Sequence, residues 1–464
     1  MSKRGSEEGR NATLKIILKP VDPRTGPGDA LLEKGRIAEA LAYFGQALKV
    51  RPDDPGLLRG MADALVMNHR YREALPVYLK AAGKSPSDQE LYELLAGVHT
   101  KLGEKEQGRR ILRAFFSKHP LAARRKTESA GPTILKILGL DGTFGLLVEK
   151  KNKRPGARYR GGHFTTTYLL PKQGYRVLDW TIADNNINVR DDIPAHDLLL
   201  NTIADADTER RSLLALSEYL KNHPKAPVIN HPDRVLETTR DGNFLRLNAI
   251  AGITFPRTAR FRREGMTAEA VVAQIGEMRF AWPIIVRETG SHTGRTVELI
   301  RDDAELARYF SRSDGEEFYL IQFIDERIDD GRYFRKMRVF CIDGRLYPVV
   351  SHIDRVWIVH GDNRLIVMRE NPWMQDQEQR YLADPVQAIG ATNWRILENL
   401  YDLVGLDFFG VDFTVRRDGT LLIYELNASM RHKHSHAQNF PYMKPHMERI
   451  TAAFGEMIKQ KISG

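Results

Sequence analysis

The sequence is nearly without cysteine, since Cys341 is the only one among 464 residues. An intramolecular disulfide is therefore excluded, and a reducing compartment is expected. No apolar run approaches the roughly 20 residues of a membrane span, and the first residues lack the apolar core of a signal peptide. We therefore expect a cytoplasmic protein without a membrane partner.

The composition shows no shortage of core-forming residues, because 42% of the chain is hydrophobic and 28% is charged, as in ordinary soluble proteins. A chain of this length is too long for one core and predicts roughly two to four structural units. The formal net charge is +10. This surplus attracts anions, but nucleotides, acidic peptides, nucleic acids and phospholipids would all satisfy it.

An internal period of 34 residues marks the beginning of the chain, where Pro52, Pro86 and Pro120 are equally spaced. The same step relates small residues, which let paired helices approach closely, and large residues four positions later, which fill the gap between the helices. The small residues are Ala40, Ala74 and Gly108, and the large ones are Phe44, Tyr78 and Leu112. Each proline is expected to end the second helix of a repeat.

This pattern resembles the tetratricopeptide repeat over about residues 21–122, with a degenerate third repeat as expected of a terminal cap. The alternative is an unrelated helical bundle. The resemblance implies a module that binds a peptide or protein partner, although such modules can also dimerise or pack on a neighbouring domain. Residues 1–20 are expected to form a flexible N-terminus and residues 123–131 a basic, polar linker.

Strands alternate with a helix over residues 132–232, which predicts a small, mostly parallel α/β domain. The strand segments are TILKIL, YRVLDWTI, DLLLNTIAD and APVIN, and the amphipathic helix is RRSLLALSEYLKNH. The basic segment at 149–162 has no stacked aromatics beside it, so we interpret it as a solvated loop rather than a nucleic-acid patch. No nucleic-acid partner is expected.

The strongest chemical signal lies in residues 405–430, where two strand-like runs flank Asp418-Gly419, a preferred two-residue hairpin turn. If those two residues form the loop, the opposed pairs of interest are Asp412 with Glu425 and Gly410 with Asn427. Like charges in directly opposed positions repel each other. A hard divalent cation with oxygen ligands turns that repulsion into binding, and a glycine leaves room for it. The alternative is a splayed, solvated pair of acids.

The opposite face of this hairpin is apolar and is expected to pack into the core. It consists of Val411, Phe413, Val415, Leu422, Tyr424 and Leu426. A core face is also expected for Cys341, because alternation in the segment FRKMRVFCI places it on the same side of the strand as Met337 and Val339. A structural role for the thiol is therefore favoured over a catalytic one.

Two other segments carry cations in positions that suit an anionic ligand. Arg287 ends an apolar strand, and the following loop contains Gly290 and Gly294. Such a loop can fold its backbone N–H groups over phosphate oxygens, although a plain turn is the alternative. Lys336 and Arg338 share one face of a strand, where they need an anion unless both reach solvent.

Taken in order, these segments resemble an ATP-grasp domain over about residues 132–460, most closely the glutathione-synthetase and ribosomal-protein glutamate-ligase branch. The matching pieces are the segment INHPDRVLETTRDGNFLRLNAIAGITFPRT, the cation-ending strand with its small-residue loop, a Gln-Phe-Ile strand, a Lys-x-Arg strand and the Asp…Glu-x-Asn hairpin. The expected fold class is therefore multidomain α + α/β. It comprises a helical-repeat module, a small α/β pre-ATP-grasp domain at 132–232 and an ATP-grasp α+β domain at 233–464.

The resemblance implies ATP and Mg²⁺ as cofactors and a role for each matching residue. The metal would be held by Asp412, Glu425 and Asn427. The transferred phosphoryl group or acyl phosphate would meet the catalytic cations Arg338 and Lys336. The nucleotide would be bound by Arg240, by Arg287, by a lid formed from Ser291, His292, Thr293 and Gly294, and by an adenine border formed from Gln322, Phe323 and Ile324.

The function that the resemblance implies is an ATP- and Mg-dependent carboxylate–amine ligase that works through an acyl phosphate. The substrate would be an amino acid, a peptide or a protein tail, and the surplus of cations favours an acidic one. One alternative is an ATP-binding scaffold whose repeats bind a partner, because the family usually has lysine where this chain has Arg287 and Gly242, and often an acid at Lys336. The other is an ATP-grasp kinase that releases a phosphorylated product.

Histidines alternate directly after the hairpin, at His432, His434 and His436. Residues two apart share a face only on a strand, and a fourth ligand for zinc is not evident. We interpret this segment as a basic loop that faces an acidic substrate.

Overall fold

The computed structural model describes residues 26–123, 131–148, 154–171, 173–183, 193–223, 226–290, 296–359, 361, 363–428, 430 and 436–464. The chain divides into two compact units. The first unit comprises residues up to 111 together with 144–159, and the second comprises residues 112–143 and 160–464. The expected flexible N-terminus at 1–20 and residues 124–130 of the expected linker lie outside the described residues. None of the helices described by the structure has the length and apolarity needed to cross a membrane.

Helices and strands are numbered in chain order. The helices are α1 (Pro27–Glu33), α2 (Ile37–Val50), α3 (Pro55–Met67), α4 (Tyr71–Lys84), α5 (Gln89–Lys101), α6 (Lys105–Phe116), α7 (Arg210–Asn222), α8 (Pro232–Leu236), α9 (Arg240–Leu247), α10 (Ala268–Glu277), α11 (Asp303–Arg312), α12 (Arg364–Val367), α13 (Pro372–Ala383), α14 (Pro385–Ile389), α15 (Ala391–Val404), α16 (His436–Asn439) and α17 (Lys444–Ser463). The strands are β1 (Leu121–Ala123), β2 (Thr133–Leu138), β3 (Thr143–Val148), β4 (Pro155–Arg160), β5 (Arg176–Thr181), β6 (Leu198–Asn201), β7 (Val228–Ile229), β8 (Ile253–Thr254), β9 (Thr258–Arg262), β10 (Ile284–Glu288), β11 (Glu298–Ile300), β12 (Glu317–Gln322), β13 (Arg327–Ile328), β14 (Tyr333–Ile342), β15 (Arg345–Asp354), β16 (Phe408–Val415) and β17 (Leu421–Asn427).

The first unit is built from helix pairs that repeat with the predicted period. Asp54 and Asp88 begin α3 and α5, since each carboxylate accepts a hydrogen bond from the backbone N–H three residues further on. Phe44 and Tyr78 are buried between helices. A Cβ on Gly108 would lie 3.0 Å from the Ala96 carbonyl oxygen, so the missing side chain lets α6 approach α5 closely. The predicted small and large positions are therefore confirmed.

A short hairpin of β3 and β4 belongs to the same unit as these helices. The expectation of a solvated loop over 149–162 is therefore wrong for residues 155–160, which form β4, while residues 149–153 lie outside the described part. Leu146 packs against the apolar residues of the helices. Arg154 forms an ion pair with Asp29 of α1. At least one basic residue of this segment is thus paired with an acid of the first unit.

Asp63 is a fully buried carboxylate in the middle of α3. It accepts a hydrogen bond of 2.5 Å from the Tyr78 hydroxyl, and the guanidinium groups of Arg59 and Arg154 each lie 4.0 Å from its Oδ2 atom. Burial raises the pKa of Asp63 to about 7, although the hydroxyl and the arginines oppose that rise.

We expect the stability of the helix repeats to depend on the protonation of Asp63. The folded-state pKa lies above the value of about 3.9 for an unfolded aspartate, so the folded state holds the proton more tightly. The free energy of unfolding should therefore fall as the pH rises from about 4 to about 7, by at most about 4 kcal/mol. Thermal unfolding of the wild type and Asp63→Asn, followed by circular dichroism over this range, isolates the effect. Asp53→Asn, at an exposed position of the same unit, is the control. Parallel pH profiles for wild type and Asp63→Asn would refute the assignment.

The second unit begins with a five-stranded sheet in the order β1-β5-β2-β6-β7. Its strands are parallel except for β1, which pairs antiparallel with β5. Each of the four predicted strand segments and the predicted helix, α7, is present. Apolar residues of the strands pack against Leu213 and Leu216 of α7, which explains the amphipathic pattern of that helix.

A four-stranded antiparallel sheet follows in the order β11-β10-β12-β9. One face packs against α10 and α11 through a core that includes Val286, Phe318 and Phe310. The other face carries Arg287, Tyr319 and Arg260 side by side, because Tyr319 lies opposite Arg287 on β10 and opposite Arg260 on β9. Alternation along these strands therefore separates a core face from a polar face.

The third sheet of the unit contains β15, β14, β16 and β17 as antiparallel neighbours, with β8 parallel to β17 and β13 paired with the beginning of β14. Phe408 and Phe413 are fully buried in it. Cys341 on β14 is also fully buried, and burial raises the pKa of its thiol to about 12. The structural role expected for this cysteine is therefore consistent with its surroundings.

Candidate functional site

The β16–β17 hairpin brings together the acidic residues that the sequence analysis singled out. Asp412 lies directly opposite Glu425, and Gly410 lies opposite Asn427. Asp412 is 1% exposed. Because opposed residues of an antiparallel pair share a face, the two carboxylates and the amide lie on one side of the sheet, as predicted.

The predicted register is correct although the predicted turn is wrong. Arg416 pairs with Thr420 through its backbone, so the loop has three residues, Arg417–Gly419, rather than two. The extra residue is compensated by a β-bulge on β17, since Phe413 lies opposite Ile423 while Asp412 lies opposite Glu425. The bulge leaves Tyr424 without a directly opposed partner and restores the pairing beyond it.

Because of the bulge, the predicted core face of the hairpin is wrong at one position. Leu422 lies opposite Thr414, so it shares the face of Asp412 rather than the face of Val411. Ile423, which the sequence analysis did not include, packs in the core in its place. The reason is that one inserted residue reverses the alternation of every position between the bulge and the turn.

Gly410 does not simply leave room for a metal, as the sequence analysis supposed. A Cβ at this position would lie 2.9 Å from the Met430 side chain and 3.1 Å from the Phe340 ring. The space above Gly410 is therefore filled by Met430 and Phe340. The glycine is needed for packing around the carboxylates.

Two cations of β14 bind Asp412. Arg338 lies directly opposite Asp412, and its guanidinium donates to both carboxylate oxygens, at 2.6 Å and 2.9 Å. The ammonium group of Lys336 lies 3.4 Å from Oδ2 of the same carboxylate. Burial alone would raise the pKa of Asp412, but these two cations hold it below its ordinary value.

Glu425 is bound from a different element, the first turn of α9. Thr239 caps this helix by accepting from the Gly242 N–H, which places Arg240 at the first helical position. Arg240 donates to Oε1 of Glu425 at 2.5 Å, and the Asn427 amide donates to the same oxygen at 3.2 Å. Burial would raise the pKa of Glu425, but Arg240, helped by other nearby cations, lowers it.

Arg287 completes the charged site from the four-stranded sheet. Its side chain is partly buried, and burial together with the nearby Arg240 lowers its pKa to about 10. Glu425 opposes this shift and therefore lies within electrostatic reach of Arg287. The two carboxylates are thus surrounded by more cations than they can neutralise, which favours a ligand with several negative charges.

Sequence reasoning missed a cluster that fixes Arg240. Arg260 on β9 binds Asp241 at 3.0 Å, Asp207 at 2.7 Å and Glu317 at 2.6 Å, and lies over the Tyr319 ring. Since Asp241 is the neighbour of Arg240, this cluster ties the beginning of α9 to the polar face of the sheet. The alternation TARFR gives a signal for Arg260, but its three acidic partners are distant in sequence.

The predicted adenine border lies at the end of β12. The side-chain amide of Gln322 forms two hydrogen bonds with the backbone of Ala281. It accepts one from the Ala281 N–H at 3.1 Å and donates the other to the Ala281 carbonyl at 2.7 Å. Phe323 follows the strand and packs 6.0 Å from the Trp357 ring. Ile324 accepts a backbone hydrogen bond from Glu326. A role of these residues at a nucleotide base stays a prediction.

Several predicted residues fall outside the described part of the chain. These are the lid residues Ser291, His292, Thr293 and Gly294 and the histidines His432 and His434. His436 is described and begins α16. Its ring lies 5.9 Å from the His352 ring, measured between centroids.

The donor set suits a magnesium ion better than a softer metal. In the part of the chain that the structure describes, there is no group of three or more His, Cys, Asp and Glu side chains that could hold a metal. The site instead offers two carboxylates and one amide, which are the oxygen ligands that Mg²⁺ prefers in company with phosphates. The Thr414 hydroxyl, on the Asp412 face, is buried without a hydrogen-bond partner among the described residues.

Comparison with known proteins agrees with this architecture. Residues 28–89 match the family model of the tetratricopeptide repeat, and residues 243–439 match that of the RimK-like ATP-grasp domain. The chain therefore combines a tetratricopeptide repeat region with a RimK-like ATP-grasp domain in a multidomain α + α/β fold. ATP-grasp ligases generally use ATP and Mg²⁺ to join a carboxylate to an amine.

Each of two curated relatives matches part of the chain. A TPR repeat-containing thioredoxin of Arabidopsis thaliana is 35% identical over 85 residues, or 18% of this chain and 12% of that protein. A homologue of tetratricopeptide repeat protein 21 from Caenorhabditis elegans is 25% identical over 209 residues, or 44% of this chain and 16% of that protein. The chain thus spans well under a fifth of the length of either relative.

Solved structures resemble a larger share of the chain at lower identity. D-alanine–D-alanine ligase from Bacillus anthracis is 13% identical with a TM-score of 0.40, covering 71% of this chain and 99% of the ligase. A RimK domain ATP-grasp protein from Sphaerobacter thermophilus is 15% identical with a TM-score of 0.38, covering 72% of this chain and 100% of that protein.

Proposed function

We propose that the protein is an ATP- and Mg-dependent carboxylate–amine ligase that works through an acyl phosphate. The observation that carries the proposal is the opposed pair Asp412 and Glu425, held on one sheet face among Arg338, Lys336 and Arg240. Opposed carboxylates repel each other, and a buried one such as Asp412 is costly unless it binds cations. An arrangement of oxygen ligands and arginines suits a magnesium–triphosphate complex.

Each residue of the site has a part in this proposal. Asp412, Glu425 and Asn427 would hold the metal, which would neutralise phosphate charge. Arg240 and Arg287 bind phosphate oxygens on the side of α9 and β10, and Gln322, Phe323 and Ile324 border the adenine.

The catalytic cations lie on β14, beside the metal ligands. An oxygen of the substrate carboxylate attacks the γ-phosphorus, ADP leaves, and the acyl phosphate carries charge that Arg338 and Lys336 stabilise. An amine then attacks the acyl carbon, phosphate leaves with the former carboxylate oxygen, and the nitrogen loses a proton. A covalent protein nucleophile has no part in this sequence.

The repeats and the small α/β domain complete the proposed organisation. Repeats over about 21–122 bind a protein or peptide partner. Residues 132–232, except the segment 144–159 that belongs to the first unit, form the pre-ATP-grasp domain, and residues 233–464 form the catalytic domain. The excess of cations around the site supports an acidic substrate, either a small molecule or a peptide.

The proposal is tested by incubating the full chain with ATP, Mg²⁺ and pooled amino acids and following ADP release. Release that depends on the amino acids and is absent from an Asp412→Ala/Glu425→Ala double variant is the expected result. A stable phosphorylated compound formed without an amide would indicate a kinase instead. Nucleotide binding without ADP release, even with peptides added, would favour an ATP-binding scaffold.

A further inference from the structure

His352 on β15 faces the same side of the sheet as the catalytic cations. It lies directly opposite Lys336, and Lys336 in turn reaches Asp412. Because opposed residues of an antiparallel pair share a face, His352 is placed one strand beyond the two cations. Its side chain is largely buried, at 7% exposure.

A buried network fixes the orientation of the His352 ring. Its Nδ1 lies 3.3 Å from a guanidinium nitrogen of Arg364. Arg364 is paired with Glu378, and both side chains are fully buried. The Tyr442 hydroxyl and the Ser351 N–H also bind Glu378, at 2.6 Å and 2.8 Å. Arg364 further lies over the Phe440 ring, 4.1 Å from its centroid.

This network determines which nitrogen of the neutral His352 imidazole carries the proton. A guanidinium can only donate, so Nδ1 of His352 must accept from Arg364. The neutral ring then carries its proton on Nε2, which becomes a hydrogen-bond donor. Burial lowers the pKa of His352 well below its ordinary value, and the nearby Arg364 and Lys336 lower it further. The ring is therefore neutral with a fixed donor at physiological pH.

The surroundings of this donor favour an oxygen ligand with negative charge. Arg364, Lys336, Arg338 and His436 each lower the His352 pKa electrostatically, so cationic groups lie around the ring. A buried ion pair such as Arg364–Glu378 adds little to stability by itself. The pair instead holds Arg364 beside the imidazole, in the way that outer hydrogen bonds orient functional histidines.

We propose that His352 is a substrate-binding residue whose Nε2–H donates a hydrogen bond to a carboxylate oxygen of the acyl substrate, while Lys336 neutralises that carboxylate. The inference rests on the proposed ligase function and assigns the side of β14 away from β16 to the acyl substrate. Arg364 and Glu378 are positioning residues, because they act through the imidazole.

Two substitutions separate the donor from the bulk of the ring. In His352→Asn the amide oxygen can still accept from Arg364, but no group replaces Nε2–H. In His352→Gln the longer amide can place an N–H where Nε2 was. We expect His352→Asn to raise the half-saturating concentration of the amino-acid pool about 10- to 100-fold, the loss typical of a hydrogen bond to a charged group. His352→Gln should recover most of this loss, and half-saturation by ATP should change less than about threefold in both.

The measurement is ADP release by the full chain at varied pool and varied ATP concentrations, with melting temperatures as a check on folding. His69→Asn, at an exposed histidine of the first unit, is the matched control and should behave as wild type. Unchanged half-saturation by the pool in His352→Asn, or equal losses for pool and ATP in both His352 variants, would overturn the inference alone. Absence of ADP release from the wild type would instead overturn the ligase function, and the inference with it.

Discussion

Asp412→Asn is expected to reduce ADP release at least about a thousandfold, which is the scale of losing a charge-stabilising group at a phosphoryl-transfer site. The substitution removes one of the two opposed carboxylates and leaves the side-chain volume nearly unchanged. It also removes the negative charge that Arg338 and Lys336 bind at this position. The effect should appear in turnover and in the Mg²⁺ concentration that gives half-maximal rate.

The control for this variant is Asp418→Asn on the same hairpin. Asp418 is 52% exposed in the turn and has no part in the site, so its turnover should match wild type. Because breaking a buried pair can cost about 3–5 kcal/mol of stability, the melting temperature must be measured beside the rate. Glu425→Gln provides a second removal of charge from the other strand. Full activity in both folded variants would refute the metal-ligand assignment.

Arg338→Gln is expected to lower kcat about 100- to 1000-fold while half-saturation by ATP changes far less. The reason is that Arg338 lies beside the metal ligands but on the side of Lys336 and His352, where the transferred group and the acyl substrate are expected. Arg338→Lys should recover only part of the activity, because an ammonium group cannot reproduce the two-point contact of the guanidinium.

Arg332→Gln is the matched control for Arg338. Arg332 immediately precedes β14, is 65% exposed and pairs only with Asp329 among the described acids. Its substitution should leave kcat unchanged. A loss in Arg338→Gln confined to ATP half-saturation would move this arginine from the catalytic cations to the nucleotide-binding residues.

The hairpin shows how far local pattern can predict a site. Alternation and an Asp-Gly turn were sufficient to place Asp412 opposite Glu425, because a strand has only two faces. The bulge at Tyr424 was not predictable from this pattern, since it depends on how the added turn residue is absorbed by the sheet. The two errors cancel at Asp412, so the predicted site is correct while the predicted position of Leu422 is wrong.

Residues that reach the site from distant segments were harder to predict. Arg260 meets acids from three separate segments, and the packing of α9 against the sheets decides which of them approach. His352 is functional in our proposal only because Arg364 and Lys336 lie beside it. Periodicity shows which side of a strand is buried, but it does not show which charges face one another across elements.

The repeats were predictable for the opposite reason. Ala40 and Phe44 interact with neighbours one repeat away at most, so a period in the sequence is directly a period in the packing. Charge is a weaker signal than the period, because the basic residues of the β3–β4 segment predict a loop whereas residues 155–160 form a strand. In the structure Arg154 is paired with Asp29, and the hairpin packs on the helices of the first unit. The charge pattern alone could not predict this packing.

The origin of the oxygen in the released phosphate tests the proposed chemistry most directly. The full chain would be incubated with Mg²⁺, ATP and pooled amino acids whose carboxylates carry oxygen-18, and the phosphate analysed by mass spectrometry. Acyl-phosphate formation followed by attack of an amine predicts that each phosphate carries one labelled oxygen, because the bond broken is the carbon–oxygen bond. Unlabelled phosphate would show that water rather than the carboxylate accepts the phosphoryl group, and would contradict a carboxylate–amine ligase.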